Sequence, residues 1–105
     1  MTITLLCSLG MSTGILIDKM VSDGKAMGLD LDVDALPYDR LTDRINQTDI
    51  LLLGPQVRYL LKKFEKDYGD KIPVIAVMNM SDYGLQNTKK ILNDSLAVYN
   101  AKKKG

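Results

Sequence analysis

The sequence predicts an α/β fold, a four-stranded parallel open sheet of order 2-1-3-4 flanked by helices, in one domain over residues 1–105. Three observations carry this. Short apolar runs alternate with longer segments of helical period. Three of the four runs are almost continuously apolar, as strands covered on both faces should be. The remaining run alternates strictly, which marks an edge strand with one face in water.

Taken in order, the first strand is "TITLLC" (2–7). Residues 12–27 follow as a helix with Ile15, Leu16, Met20 and Met27 on one stripe, and Gly28 sits where a glycine would end it. "LDVDAL" (31–36) is the alternating strand, with Asp32 and Asp34 on the wet side. A short helix is expected over 39–47, with Asp39 as N-cap and Leu41 and Ile45 facing the core. "DILLLG" (49–54) is the third strand, and after Pro55 a helix over 56–67 presents Val57, Leu60, Leu61 and Phe64. "IPVIAV" (72–77) is the fourth. The last helix spans roughly 85–101, with Leu85, Leu92, Leu96 and Tyr99 at helical spacing.

Composition narrows the function. Fourteen basic and thirteen acidic residues leave a formal charge of +1, no electrostatic case for nucleic acid or a membrane surface. Lys102, Lys103 and Lys104 read as a solvated helix end. No apolar run approaches the roughly 20 residues that span a bilayer, and Met1 leads straight into "TITLLC" without a signal-peptide pattern. A single cysteine suits a reducing compartment, so a cytoplasmic protein is expected. There is no histidine. Neither a Cys-His nor a Ser-His pair can form within the chain, and no metal or cofactor is implied.

In a doubly wound sheet, ligands bind where the chain reverses direction, here between the first and third strands. The loops at that point are "CSLGMSTG" and "GPQVRY". Cys7 ends a buried strand, Gly10 can take a positive φ, and Ser12 or Thr13 can cap the next helix. A helix N-terminus beside a thiol lowers its pKa and offers N–H groups to a phosphate. A lone cysteine is also a common buried hydrophobe, a reading its place between strand end and glycine loop weakens. The tyrosine-phosphatase loop C-x5-R-[ST] is not met, because Thr13 stands where its arginine would be. No resolving cysteine is present for a reductase, and no lysine for a nucleotide P-loop. A cysteine that accepts phosphate but hydrolyses it poorly suits a relay.

"LLCSLGMSTGIL", "DILLLGPQVRYLLKK" and "VIAVMNMSDYG" together resemble the enzyme IIB component of the bacterial sugar phosphotransferase system, lactose/cellobiose type. The resemblance covers nearly the whole chain. It implies a fold similar to low-molecular-weight tyrosine phosphatases and a phosphocysteine at Cys7, with Ser8, Leu9, Gly10, Met11, Ser12 and Thr13 as its phosphate-binding loop. It also implies a phosphohistidine donor, IIA, and a membrane permease, IIC, through which alone the chain meets the membrane. The sugar would be a β-glucoside disaccharide such as cellobiose, chitobiose or lactose. Gly14 falls where many members have serine. Gln56 and Arg58, across the crevice, can steady the phosphate or meet a partner, while Tyr59 is expected to pack. Asp82 reads as a turn former before Tyr83 and Gly84, although a general acid is the other possibility. The methionines are expected mainly in the core, with Met11 at the loop surface. A cysteine phosphatase-like enzyme and a non-catalytic anion- or partner-binding domain are the rival readings.

Overall fold

The computed structural model of the chain describes residues 1–6 and 11–104, with side chains over 1–6 and 13–102. Four parallel strands form one sheet in the order β2-β1-β3-β4: β1 (Thr2–Leu6), β2 (Asp32–Leu36), β3 (Ile50–Leu53) and β4 (Val74–Val77). This is the expected order. Helices α1 (Met11–Ala26) and α4 (Thr88–Lys104) contact each other, while α2 (Leu61–Tyr68) and three 3-10 segments belong to the other layer.

The pleat divides the core in two. Ile3, Leu5, Ile50, Leu52 and Val74 pack with Leu16 and Met20 of α1 and Ile91 and Leu92 of α4. Leu6, Leu51 and Leu53 face the opposite way, onto Leu41, Ile45, Phe64 and Ile72. Every residue of β3 is buried, as its unbroken apolar run requires.

The end of α1 follows from one residue. Gly28 has φ of 81°, its N–H donates to Lys25 O and the Leu29 N–H donates to Gly24 O, which together close the last turn. A Cβ at that φ is strained, so Gly28→Ala should cost about 1–2 kcal/mol, read as a lower urea midpoint with unchanged slope. Ile15 and Met27 are solvent-exposed, contrary to the expected stripe, and Ile17 and Val21 pack on the core in their place.

The segment 39–47 is not an α-helix. Two 3-10 segments, Tyr38–Asp43 and Ile45–Gln47, replace it, and Pro37 rather than Asp39 precedes the first, with no side-chain cap. Leu41 and Ile45 are nevertheless buried as expected. Arg44, between the two segments, explains the departure. Its Nε donates to Thr4 Oγ1 at 3.2 Å, and its terminal nitrogens lie 3.6 Å from Asp32 and 3.8 Å from Asp34. Thr4 Oγ1 and Thr48 Oγ1 are 2.8 Å apart, and the Thr48 hydroxyl donates to Arg44 O. The aspartates of the alternating strand therefore hold a cation as well as meeting water.

The remaining elements shift within their expected regions. Residues Pro55–Leu60 form a 3-10 segment broken at Val57 before α2 begins, with Phe64 fully in the core. The expected final helix starts later, at Thr88, whose hydroxyl bonds Asp23 of α1. A separate short helix, α3 (Met80–Gly84), precedes it. Leu85, placed on the core face by spacing, is 80 % exposed in the link between the two helices. Among the described residues no helix is long and apolar enough to cross a membrane.

Candidate functional site

Parallel strands carry all their C-terminal ends to one side of the sheet, so the site is built where β1, β3 and β4 stop. Leu6 is the last residue of β1, and Leu6 O accepts from Gly54 N–H at 2.8 Å, which ties the exit of β3 to the exit of β1. The Met78 N–H donates to Leu53 O in the same way, and brings the exit of β4 alongside. Cys7, Ser8, Leu9 and Gly10 lie outside the described residues. Their frame is described. It runs from the buried end of the central strand to the first turn of α1 at Met11, a helix of sixteen residues whose N-terminus points to this side.

Met11, Ser12 and Thr13 were expected in the loop and as caps. They belong instead to the first turn of α1, with Thr13 buried. A first-turn position still exposes helix N–H groups to the site, so the shift shortens the loop without removing its donors.

Gln56 and Arg58 stand on the 3-10 segment after β3. With Pro55, Tyr59, Met80 and Tyr83 they line an open groove of about 680 Å³. The groove runs between the β3 and β4 connections, one strand further along the sheet than the crevice the topology suggested. Tyr59 does not pack; it is 75 % exposed. Met80 is 64 % exposed, so only Met20 and Met78 of the methionines with described side chains are buried core residues.

The second wall of the groove is α3, held by side chains that sequence reasoning undervalued. Asn79 Oδ1 accepts from the N–H groups of Ser81 at 2.9 Å and Asp82 at 3.2 Å, an N-cap. Asp82 is buried in the helix rather than forming a turn, and its carboxylate receives Lys90 Nζ of α4 at 3.1 Å. That hydrogen bond, then the charges of Asp82 and Asp94, raises the Lys90 pKa above the ordinary lysine value. A raised lysine pKa stabilises the fold below the unfolded value and loses that contribution as pH rises through the folded one, so the pair is intact at neutral pH. The stretch Asn79-Met80-Ser81-Asp82, an Asx followed three residues later by an acid, was the signal available for this helix. Asn79→Ala should cost about 1 kcal/mol, measured as a lower thermal midpoint. Among the described residues no group of side chains is arranged to hold a metal.

The fold and this site define a class: a doubly wound α/β domain whose single cysteine falls in sequence between an inner strand and the first helix, with a groove between the β3 and β4 connections. The chain belongs to the lactose/cellobiose-specific IIB family of the phosphotransferase system, whose model matches residues 2–94. Members of this family act as phosphotransferases. The chain is 29 % identical over 96 residues to the oligo-beta-mannoside-specific EIIB component of Bacillus subtilis (strain 168), covering 91 % of this chain and 93 % of that one. It is 32 % identical over 95 residues to the galactose-specific EIIB component of Lactococcus lactis subsp. cremoris (strain MG1363), covering 86 % of this chain and 88 % of that one. Among solved structures, the cellobiose-specific IIB protein of Borrelia burgdorferi superposes with a TM-score of 0.77 at 31 % identity, over 97 % of this chain and 94 % of that one. The lactose-specific IIB domain of Streptococcus pneumoniae has the same fold, with a TM-score of 0.77 at 20 % identity over 94 % of this chain and 97 % of that one.

Proposed function

We propose that the chain is a cytoplasmic phosphocarrier whose Cys7 accepts a phosphoryl group from the phosphohistidine of a IIA protein and delivers it to a sugar held by the membrane component IIC. In the first step the Cys7 thiolate attacks phosphorus, the P–N bond breaks, and the leaving imidazole takes a proton. In the second a sugar hydroxyl attacks the same phosphorus, the S–P bond breaks, and the thiolate is restored. The hydroxyl proton goes to a base that we assign to the partner, since this chain lacks histidine, the commonest general base. Ser8 to Thr13 would surround the phosphate, and Gln56 and Arg58 would steady it from the neighbouring connection.

Family membership, together with the single cysteine falling between β1 and α1, carries the reading. We take the sugar to be a β-linked disaccharide such as cellobiose, chitobiose or lactose. Relatives at 29 % and 32 % identity bear the names of different sugars, which supports specificity lying mainly in IIC. The test is intact-mass spectrometry after incubation with phosphoenolpyruvate, the two general phosphotransferase proteins and a cellobiose-type IIA. A gain of about 80 Da that depends on IIA is expected. No gain, in a mixture that phosphorylates another IIB, would overturn the reading.

A further inference from the structure

Three cavities border the short helix α3. Asn79 and Asp82 line one of about 260 Å³, between α4 and the end of β4, which reaches down to Leu52 and Ile91. Met80, Tyr83 and Gly84 line the groove of about 680 Å³. Tyr83 and Gly84 also line a smaller cavity of about 140 Å³ against Leu16 of α1. Of residues 80–85 only Asp82 and Tyr83 are not exposed. Tyr83 packs on the first core layer, and Asp82 is held by Lys90. An element with so few buried contacts is displaced at low cost.

The exit of α3 is strained. Gln86 has φ of 53°, in the left-handed region, the one non-glycine residue there among the described residues. The contact that holds α3 has two settings. Lys90 Nζ lies 3.1 Å from Asp82 and 3.5 Å from Asp94, one turn along its own helix. If α3 moves away, Lys90 keeps Asp94 and the buried Asp82 gains water, so neither charge is stranded. The other wall of the groove carries Tyr59, exposed like Met80. Two such side chains gain by meeting, and a thioether against an aromatic ring is a favourable contact.

We propose that α3 is a hinged flap with two positions. In the one seen here Lys90 holds Asp82 and the groove is open. In the other Gln86 relaxes to a negative φ, Lys90 pairs with Asp94 alone, and α3 swings across the groove to seat Met80 on the Tyr59 ring. The exchange sets one ion pair against apolar burial and relief of one strained residue, effects of similar size. Hinges of this kind confine the backbone change to a few residues at element ends, as at Gln86. The flap gates the groove: an occupant selects the open position, because closure removes its room. None of this depends on the chemistry of Cys7.

The test is NMR of the full chain with isotope-labelled methionine methyls, the Met80 signal being assigned by its loss in Met80→Leu. Lys90→Ala removes the latch and should raise the closed population about tenfold, seen as an upfield ring-current shift of the Met80 methyl. Adding Tyr59→Leu should abolish that shift. Asp94→Asn removes the alternative partner of Lys90 and should lower the closed population about threefold, seen as weaker relaxation dispersion at the same methyl. The Tyr83 and Leu85 amides, which donate to Asn79 O and Ser81 O, should keep their protection from hydrogen exchange in Lys90→Ala, because the flap moves as a helix. Lost protection there would show α3 unfolding rather than closing, and would overturn the proposal. An unmoved Met80 methyl in Lys90→Ala would overturn it too, as would a shift that survives Tyr59→Leu. Should Lys90→Ala fail to fold, Asp94→Asn decides: dispersion unchanged or stronger than in the wild type would overturn the flap.

Discussion

Replacing Cys7 with serine should abolish phosphoryl acceptance and leave the fold standing. Oxygen for sulfur is a small change of volume at a position just past the last described residue of β1, so the thermal midpoint should move by no more than a few degrees. The chemistry is far less tolerant. A thiol is intrinsically nucleophilic and carries a few per cent of thiolate near neutral pH, whereas a serine hydroxyl needs a neighbouring base to become a nucleophile. This chain has no histidine to act as one. The rate of phosphate uptake should therefore fall by at least about a thousandfold, and the added mass should vanish from the spectrum. Phosphate appearing on the serine variant at the wild-type rate would place the acceptor elsewhere in the chain.

Phe64→Ala should have the largest effect on stability. Phe64 is fully buried at the centre of the second core layer, with the Tyr38 ring at 5.6 Å and the Tyr68 ring at 5.9 Å. Truncating a buried phenylalanine costs about 3–5 kcal/mol, from lost transfer energy and the cavity left behind. For a domain of this size that lowers the thermal midpoint by roughly 12–40 °C, a large part of a typical total stability. Tyr38→Ala should cost much less, because Tyr38 is half exposed. A Phe64→Ala loss below about 1 kcal/mol would mean that α2 is not held by this contact.

The sheet was legible because a strand buried on both faces has no alternative to a continuous apolar run. β1, β3 and β4 each lie within the run that predicted them. The alternation of Asp32 and Asp34 correctly marked an edge, but its second purpose was hidden. Arg44 is brought to those aspartates by the chain path, and nothing local to either segment announces that contact. The same cluster explains why 39–47 misled: Leu41 and Ile45 are four apart in both an α-helix and two linked 3-10 segments, so their burial could not decide between them. Leu85 failed for a related reason: an apolar residue at helical spacing is assigned to the core, yet a short capped helix inserted before α4 left it in the exposed link between the two. At the site, Gln56 and Arg58 were placed correctly at the C-terminal side of the sheet. Tyr59 and Asp82 exchanged roles, the tyrosine exposed and the carboxylate buried and paired.

The position of β1 also bears on how the molecule is made. It is the first strand to leave the ribosome, yet it lies inside the sheet and pairs with both β2 and β3. Its second partner ends only at Leu53, so at roughly 5–20 residues per second a nascent chain carries an unfinished central strand for several seconds. Throughout that interval β1 keeps one side open, and its pairing is completed only when the third strand has been made.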